Sequence, residues 1–572
     1  MFSLPKKGVA ADAPAVIDYD GESVRVESGP FMVVRAFDEK VLEAAASRPV
    51  CIRLPGLREW LYLNRGAEAH VVDVPGWGHS TCFIGAVVTF KNWSNASPET
   101  TGGPPEAGAS ARRVACLGAT LGTSAATLSA LDAAHRRYLC YLVAKGGCTV
   151  AVQAVAGGGK TTSLLSAIKS APAGKRFILT AFNRALVQDM KDKVLAWGLE
   201  RKALVSTFDA LVRAAYLKRF GGDCGITDLR ASNVHVFAPF FEGKPFGLRK
   251  AYVDRFSAFC NSTHADPEQF CVAEGYEKGA GLLRDLWDAG RRGELLTFDV
   301  LRKRAVAEDW FDPYLQSKAD AVLCDEAQDL DPGMIELLNR NPCQTVYVGD
   351  PRQGIYGFRN AVDAFTRLPG DTVHLELFCT FRVAAPAVDQ ISKETGAPMA
   401  YAGPERRTIM TRGGTPPWGP DDEYVYLFRG WKALLTTARD LPGINITGYS
   451  EERVAGFAKT RGKPPRGGAD ADEGEDLPSF VRSLDAGALQ RLIQDIRGNW
   501  SEAPRVTMST VHSFKGLEAA KVRLGADVSK TKDNLYYVAV TRGFEHTHLD
   551  LADGAPVARM DQFVFNPKSQ AF

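Results

Sequence analysis

"CTVAVQAVAGGGKTT", from Cys148 to Thr162, decides the fold class. Its first half is a short apolar run with repeated valines, which reads as a buried strand. Ala156 leads into three glycines, Gly157, Gly158 and Gly159, and Lys160, Thr161 and Thr162 open an amphipathic helix pattern, "TTSLLSAIKSA". A strand ending in a glycine-rich turn that opens a helix is the context a phosphate-binding loop requires. Glycines let backbone N–H groups come close to phosphate oxygens. Lys160 is placed to reach the β- and γ-phosphates, and the Thr161 hydroxyl to bind Mg²⁺. The strict pattern has glycine at its first position, where this chain has Ala154. A plain strand-to-helix turn is the competing reading, and Gly-Lys-Thr at the start of a good helix weighs against it.

The texture around this stretch repeats. "RFILTAF" and "NRALVQDMKDKVLAW" follow as strand and helix, so a parallel sheet covered by helices is expected, with ligands at the carboxyl ends of its strands. "ADAVLCDEAQD", Ala319 to Asp329, delivers two adjacent acids at the end of a buried strand. Asp325 suits a magnesium shell, and Glu326 suits orientation and deprotonation of a water. Strand alternation sends neighbours to opposite faces, so the second acid must lie where strand gives way to loop. With the glycine loop upstream, the pair points to nucleoside-triphosphate hydrolysis. A second α/β stretch appears late, in "EYVYLFRG", "INITGYS", "PRVTMSTVHS" and "LYYVAVTRG".

At 572 residues the chain is too long for one core. A net charge of +2 excludes a globally basic protein, so a polyanion must be met by a local patch. Eleven cysteines without a CxxC pair read as reduced thiols, not a zinc or iron–sulfur site. The first residues show no apolar signal segment, and no apolar run is long enough to span a bilayer, so a cytoplasmic or nuclear location is expected. The first 125 residues carry strand-like runs such as "SVRVESGPFMVVRAF", followed by a Pro/Gly/Ser-rich stretch. "GWGHST" within them lacks the spacing of a phosphate loop and reads as a turn.

The ordered strings "AVAGGGKTT", "LTAFNRA", "STFDAL", "VLCDEAQD", "VGDPRQGIYGFRNA", "LFCTFR", "STVHSFKGLE" and "NLYYVAVTRG" resemble the UvrD/Rep-type superfamily 1 helicases, nearest in motif variants to the F-box DNA helicase branch. The resemblance covers residues 128 to 550 and leaves the first 125 aside. It implies an α/β fold of two RecA-like parallel-sheet motor domains with accessory insertions, beside a strand-rich N-terminal domain. The implied division is 1–125 N-terminal, 126–206 and 301–365 for 1A, 207–300 for a 1B-like insertion, 366–450 and 501–572 for 2A, and 451–500 for a reduced 2B-like insertion with an acidic loop. ATP and Mg²⁺ are the implied cofactors. Gln353 matches the glutamine that senses the γ-phosphate, and Arg382 and Arg542 match the arginines supplied by the second motor domain. Phe381 matches the ring stacked on adenine, and Glu518 the acid near the ribose. Phe182, Asn183, Thr207, Phe208, Tyr356, Phe358, Thr510 and His512 fall in motifs that line a single-strand channel. For Phe208, core packing competes evenly with that role.

Departures mark where the implication thins. The upstream glutamine that reads adenine has no clear counterpart in "LSALDAAHRRYL", where His135 is nearby. Asp209 replaces a histidine, and an acid is unfavourable against a phosphate backbone, so Asp209 is expected to point elsewhere. Phe358 stands where many relatives have tryptophan. Two functions stay open: an ATP-dependent 3′–5′ translocase and helicase on single-stranded DNA, and a nucleic-acid-stimulated ATPase that remodels protein–nucleic acid complexes, or acts on RNA, without unwinding. Residues 1–125 are the expected place for a protein partner.

Overall fold

The computed structural model describes the backbone of eight strands between residues 15 and 91, and residues 125–181, 184–221, 226, 234–357, 361–419, 421–452, 454–455 and 477–551. The expected linker at 94–111, Phe182, Asn183, Phe358 and most of the acidic loop lie outside the described residues.

Strands β1 to β8 are Ala15–Asp18, Ser23–Arg25, Met32–Arg35, Val50–Leu54, Glu59–Leu63, Glu68–Val74, Gly78–Ile84 and Val87–Lys91. They form two four-stranded sheets, ordered β1-β4-β5-β8 and β2-β3-β7-β6, largely antiparallel.

The phosphate-loop strand is β9 (Val150–Ala154). With β10 (Phe177–Ala181), β11 (Ala203–Thr207), β12 (Ala321–Cys324), β13 (Gln344–Gly349) and β14 (Val373–Leu377) it builds a six-stranded parallel sheet, ordered β11-β10-β12-β13-β9-β14. Every residue of β10, β12 and β13 is buried, the signature of a parallel sheet covered on both faces. On one face lie α1 (Ala125–Lys145), α2 (Lys160–Ser170) and α3 (Arg184–Ala196), which bury Leu139, Leu142, Leu164, Ile168, Val187 and Met190 against Val152, Leu179 and Leu323. The other face is covered by α4 (Phe208–Phe220) and the helices Phe311–Lys318 and Pro332–Asn339. Between α4 and β12 an all-helical insertion, including α5 (Phe298–Glu308), packs its own aromatic core around Phe256, Phe259 and Trp287.

β14 pairs with β9, so the first sheet runs past the boundary at 365/366 drawn from the sequence. That boundary follows the last motif of the first unit, and a lone edge strand carries no motif. After β14 the chain crosses through a short pair, β15 (Cys379–Thr380) and β16 (Ala400–Tyr401). The second six-stranded sheet follows. It comprises β17 (Ile409–Arg412), β18 (Tyr424–Phe428), β19 (Ile444–Ile446), β20 (Val506–Thr510), β21 (Ala519–Leu524) and β22 (Gly543–Leu549), all parallel, ordered β17-β22-β21-β18-β20-β19. Helices Leu477–Ser483 and Ala486–Asn499, within the second insertion, fold back on this sheet through Leu477, Val481, Leu489 and Ile496.

Candidate nucleotide cleft

β9 ends at Ala154 and α2 begins at Lys160, so the glycines form the turn between. Gly157 and Gly159 have φ of 72° and 67°, a left-handed backbone that side chains disfavour. A Cβ on Gly157 would also lie 2.6 Å from the Arg382 Cβ and 2.7 Å from Thr380 Oγ1. Gly159 caps α2 without a side-chain bond, which leaves the positive end of the helix facing the loop.

The acids sit one strand away. β12 ends at Cys324, and both Asp325 and Glu326 follow it, as alternation requires. Glu326 takes φ 56°, a left-handed turn uncommon for a side-chain residue. Thr161 donates to Asp325 Oδ2 at 2.7 Å, and Lys160 Nζ stands 3.5 Å from Glu326 Oε1. This set of hydroxyl and carboxylate oxygens suits Mg²⁺, a hard cation that prefers oxygen. Burial and the neighbouring Glu326 push Asp325 up to about 6. Burial also opposes charge on Glu326, yet Lys160, Lys515, the Gln328 amide and Arg542 hold its carboxyl down. Of the pair, Asp325 is therefore the first to take up a proton as pH falls, and Glu326 keeps its charge.

The second wall comes from the other sheet. Arg542 is 2% exposed, and its Nη2 donates to Gln353 Oε1 at 3.1 Å. Burial, then the adjacent Arg382, pulls Arg542 down to about 9. Gln353 Nε2 donates to Asp350 Oδ2 at 2.8 Å, and the same oxygen accepts the Tyr537 hydroxyl at 3.1 Å. That hydroxyl in turn accepts the Ala156 N–H at 2.9 Å. One chain of bonds thus runs from the glycine loop through both walls to Arg542. Lys515 adds a second crossing: its Nζ meets Asp329 at 2.6 and 2.8 Å and Gln353 O at 2.7 Å, with both side chains buried. Arg382 pairs with Glu518 at 2.5 Å. Phe381 presents a ring 45% exposed at the mouth, large enough for a base to stack on.

Together Gly157, Gly158, Gly159, Lys160, Thr161, Thr162, Glu326, Gln353, Phe381, Arg382, Glu518 and Arg542 line one cleft of about 400 Å³, the size of a small-ligand site. Tyr356 lines this cleft and also a second cavity of about 720 Å³ bounded by Arg352, Asp363, His374, Lys532 and Asn534. Its hydroxyl donates to His512 O at 3.2 Å, its ring lies 6.2 Å from the His512 ring, and Lys515 Nζ sits 4.6 Å from its centre.

One candidate changes, and the string without the glutamine can be placed. Phe208 was a candidate for base stacking, but it is 4% exposed and packs 5.6 Å from Phe311 in the core, so its ring is not available to a base. His135 does not face the cleft either: it is buried, its Nδ1 meets Glu376 O, and burial lowers its pKa to about 4. Asp209 does point elsewhere, to the buried Arg302, which also meets Asp299, Asp331 and Asn261. Thr207 caps α4 and Thr510 caps a single helical turn, accepting Ala210 N at 3.1 Å and Ser513 N at 3.2 Å. Lys515, Asp329, Asp350, Tyr537 and Arg136 were not singled out from sequence. The conspicuous Lys515 in "SFKGLE" was the one available signal.

In chemical class this is a phosphate-loop cleft closed by cations from a second parallel sheet. Residues 285–367 match the UvrD/REP helicase N-terminal domain. The chain is 25% identical to F-box DNA helicase 1 of Gallus gallus over 248 residues, 39% of this chain and 24% of the relative. It is 27% identical to F-box DNA helicase protein 1 of Schizosaccharomyces pombe over 243 residues, 38% of this chain and 27% of the relative. The matched stretch thus spans about a quarter of those curated relatives. A solved structure of Arterivirus nonstructural protein 10 (helicase) aligns at 12% identity, covering 72% of this chain and 61% of its own, with a TM-score of 0.30. The family model and the two relatives show similarity to UvrD/REP-type helicases and to F-box DNA helicases over these stretches of the chain.

Proposed function

We propose that the protein is an ATP-driven motor that moves 3′ to 5′ along single-stranded DNA and unwinds duplex, with the two parallel sheets as RecA-like motor domains. One observation carries this reading: the bond chain from Ala156 through Tyr537, Asp350 and Gln353 to Arg542, which ties the phosphate loop to the opposite wall. The α2 N-terminus and Lys160 bind the phosphates of ATP. Thr161 and Asp325 would hold Mg²⁺, which would supply charge neutralisation to the phosphates. Glu326, kept ionised by its cations, orients and deprotonates the attacking water. Arg542 and Arg382 turn toward the γ-phosphate and stabilise the charge that develops there.

Coupling follows from Tyr356. A shift of Gln353 at the γ-phosphate is transmitted along three residues to a ring that borders both cavities, and base stacking on such rings is worth roughly 1–3 kcal/mol. By their motifs, Phe358, Phe182 and Asn183 are also proposed strand contacts, as are His512, Thr207 and Thr510. Among the described residues no helix is long and apolar enough to cross a membrane. A DNA substrate places the work in the cytoplasm or nucleus. Residues 1–125 are proposed to meet a protein partner.

A second reading, an ATPase that strips or remodels complexes without unwinding, draws on the described part of the second insertion, which packs on its own sheet and forms no separate lobe. Strand displacement on 3′-tailed and 5′-tailed duplexes, beside a protein-stripping assay, decides between them. Displacement of the 3′-tailed substrate alone supports the motor. Stripping without displacement supports the second reading.

A further inference from the structure

Arg136 lies on α1, outside every motif that carries the resemblance, yet its side chain reaches the glycine loop. Nη2 donates to Gly158 O at 2.7 Å and to Asp132 Oδ2 at 3.3 Å. Nη1 donates to Gly159 O at 3.4 Å and to Ser163 Oγ. The guanidinium also sits 5.6 Å from the centre of the Phe381 ring. Asp132 is buried, and its other bonds are from Phe378 N at 2.5 Å and Cys379 N at 3.1 Å, the start of the segment that delivers Phe381 and Arg382. Phe381 N in turn donates to Gly157 O at 3.0 Å.

Three successive loop carbonyls are therefore held from one side, Gly157 by Phe381 and Gly158 and Gly159 by Arg136. In a trans peptide the C=O and the following N–H point in opposite directions. Drawing Gly158 O and Gly159 O toward Arg136 turns the N–H groups of Gly159 and Lys160 away from it, toward the space a phosphate enters. Gly159 O also accepts the Ser163 N–H and hydroxyl at 2.9 Å each, whereas Gly158 O is held by Arg136 at 2.7 Å, so the guanidinium adds an outside clamp to a loop whose glycines have no side chains of their own. Five donors in a rigid fork suit a guanidinium to several oxygens at once, and a lysine cannot reproduce that.

We propose that Arg136 is a positioning residue for nucleotide binding: it presets the phosphate-loop peptides and, through Asp132 and Phe381, holds the stacking ring in the same frame. The inference rests on the ATPase reading above. A group that orders the loop before and throughout turnover acts on ground state and transition state alike, so it lowers KM more than it raises kcat.

The test measures ATP turnover and the affinity for a fluorescent ADP analogue in the full chain, for the natural protein, Arg136→Met and Arg136→Lys. Expected for Arg136→Met is a rise in KM and in ADP Kd of about tenfold, with kcat within about threefold, as befits loss of charge-assisted hydrogen bonds. Arg136→Lys keeps the charge but not the fork and falls between. Unchanged KM and Kd in Arg136→Met overturn the proposal, as does a fall in kcat with KM constant. Should the methionine variant not fold, natural-level Kd in Arg136→Lys overturns it and a raised Kd upholds it. Because the binding arm needs no hydrolysis, a chain that binds ADP without turning over ATP ends the ATPase reading while the Arg136 comparison still resolves.

Discussion

The two six-stranded sheets meet the cleft with different chemistry. The first presents mainly backbone: left-handed glycines, a bare helix N-terminus and carbonyls clamped from behind. The second presents side chains, with Arg542, Lys515 and Tyr537 reaching across to Gln353, Asp329 and Asp350. Backbone donors cannot be withdrawn without refolding the loop, whereas side chains on a second body leave when that body moves. On the proposed reading the first wall grips the phosphates and carries Glu326 and Gln353, and the second supplies the cations that close on them.

Changes on each wall should separate these roles. The largest effect is expected from Arg542→Ala, which removes a cation proposed to meet the transferring phosphoryl group. Single-turnover rates should fall about a thousandfold, while ADP affinity by titration stays within about threefold. Loss of binding instead would erase the contrast between the walls. Next, Glu326→Gln should lower kcat by about a hundredfold with ATP binding retained, since it removes the base and little of the phosphate grip.

His135 supplies a control inside the first wall. Its folded pKa of about 4 lies below the ordinary 6.5, because burial disfavours the imidazolium. The unfolded chain therefore takes up the proton first, and the stability due to neutral His135 is full above pH 6.5 and lost as pH falls toward 4. Between pH 7 and pH 5 that loss amounts to about 2 kcal/mol. His135→Gln should remove this part of the acid sensitivity, measured as the difference in denaturant midpoints at the two pH values, without changing KM for ATP. A changed KM would tie this residue to the nucleotide site.

The smallest effect tests the partition between the cavities. Tyr356→Ala should weaken single-strand affinity about tenfold and leave strand-free ATP turnover near the natural rate. Equal loss of both would mean the ring serves only the cleft.

Much of this site was legible because its chemistry is local in sequence. Gly157 to Thr162 and Asp325–Glu326 each declare a role within a few residues of a strand end. Phe208 misled because an aromatic at a helix start looks the same from sequence whether it faces a base or Phe311; only the packing of Phe311–Lys318 over the sheet separates the two. Arg136 and Lys515 were hidden for the opposite reason: their partners lie 22 and 186 residues away, in the glycine loop and at Asp329. β14 was assigned to the wrong unit because an edge strand after the last motif has only its pairing with β9 to identify it.

The central claim is that the two walls form one ATP-hydrolysing cleft coupled to a nucleic-acid strand. ATP turnover by the full chain with and without single-stranded DNA, beside Lys160→Ala, tests it most directly. The account predicts turnover that rises when the strand is added and disappears in Lys160→Ala. Turnover that survives Lys160→Ala, or that ignores the strand, would contradict it.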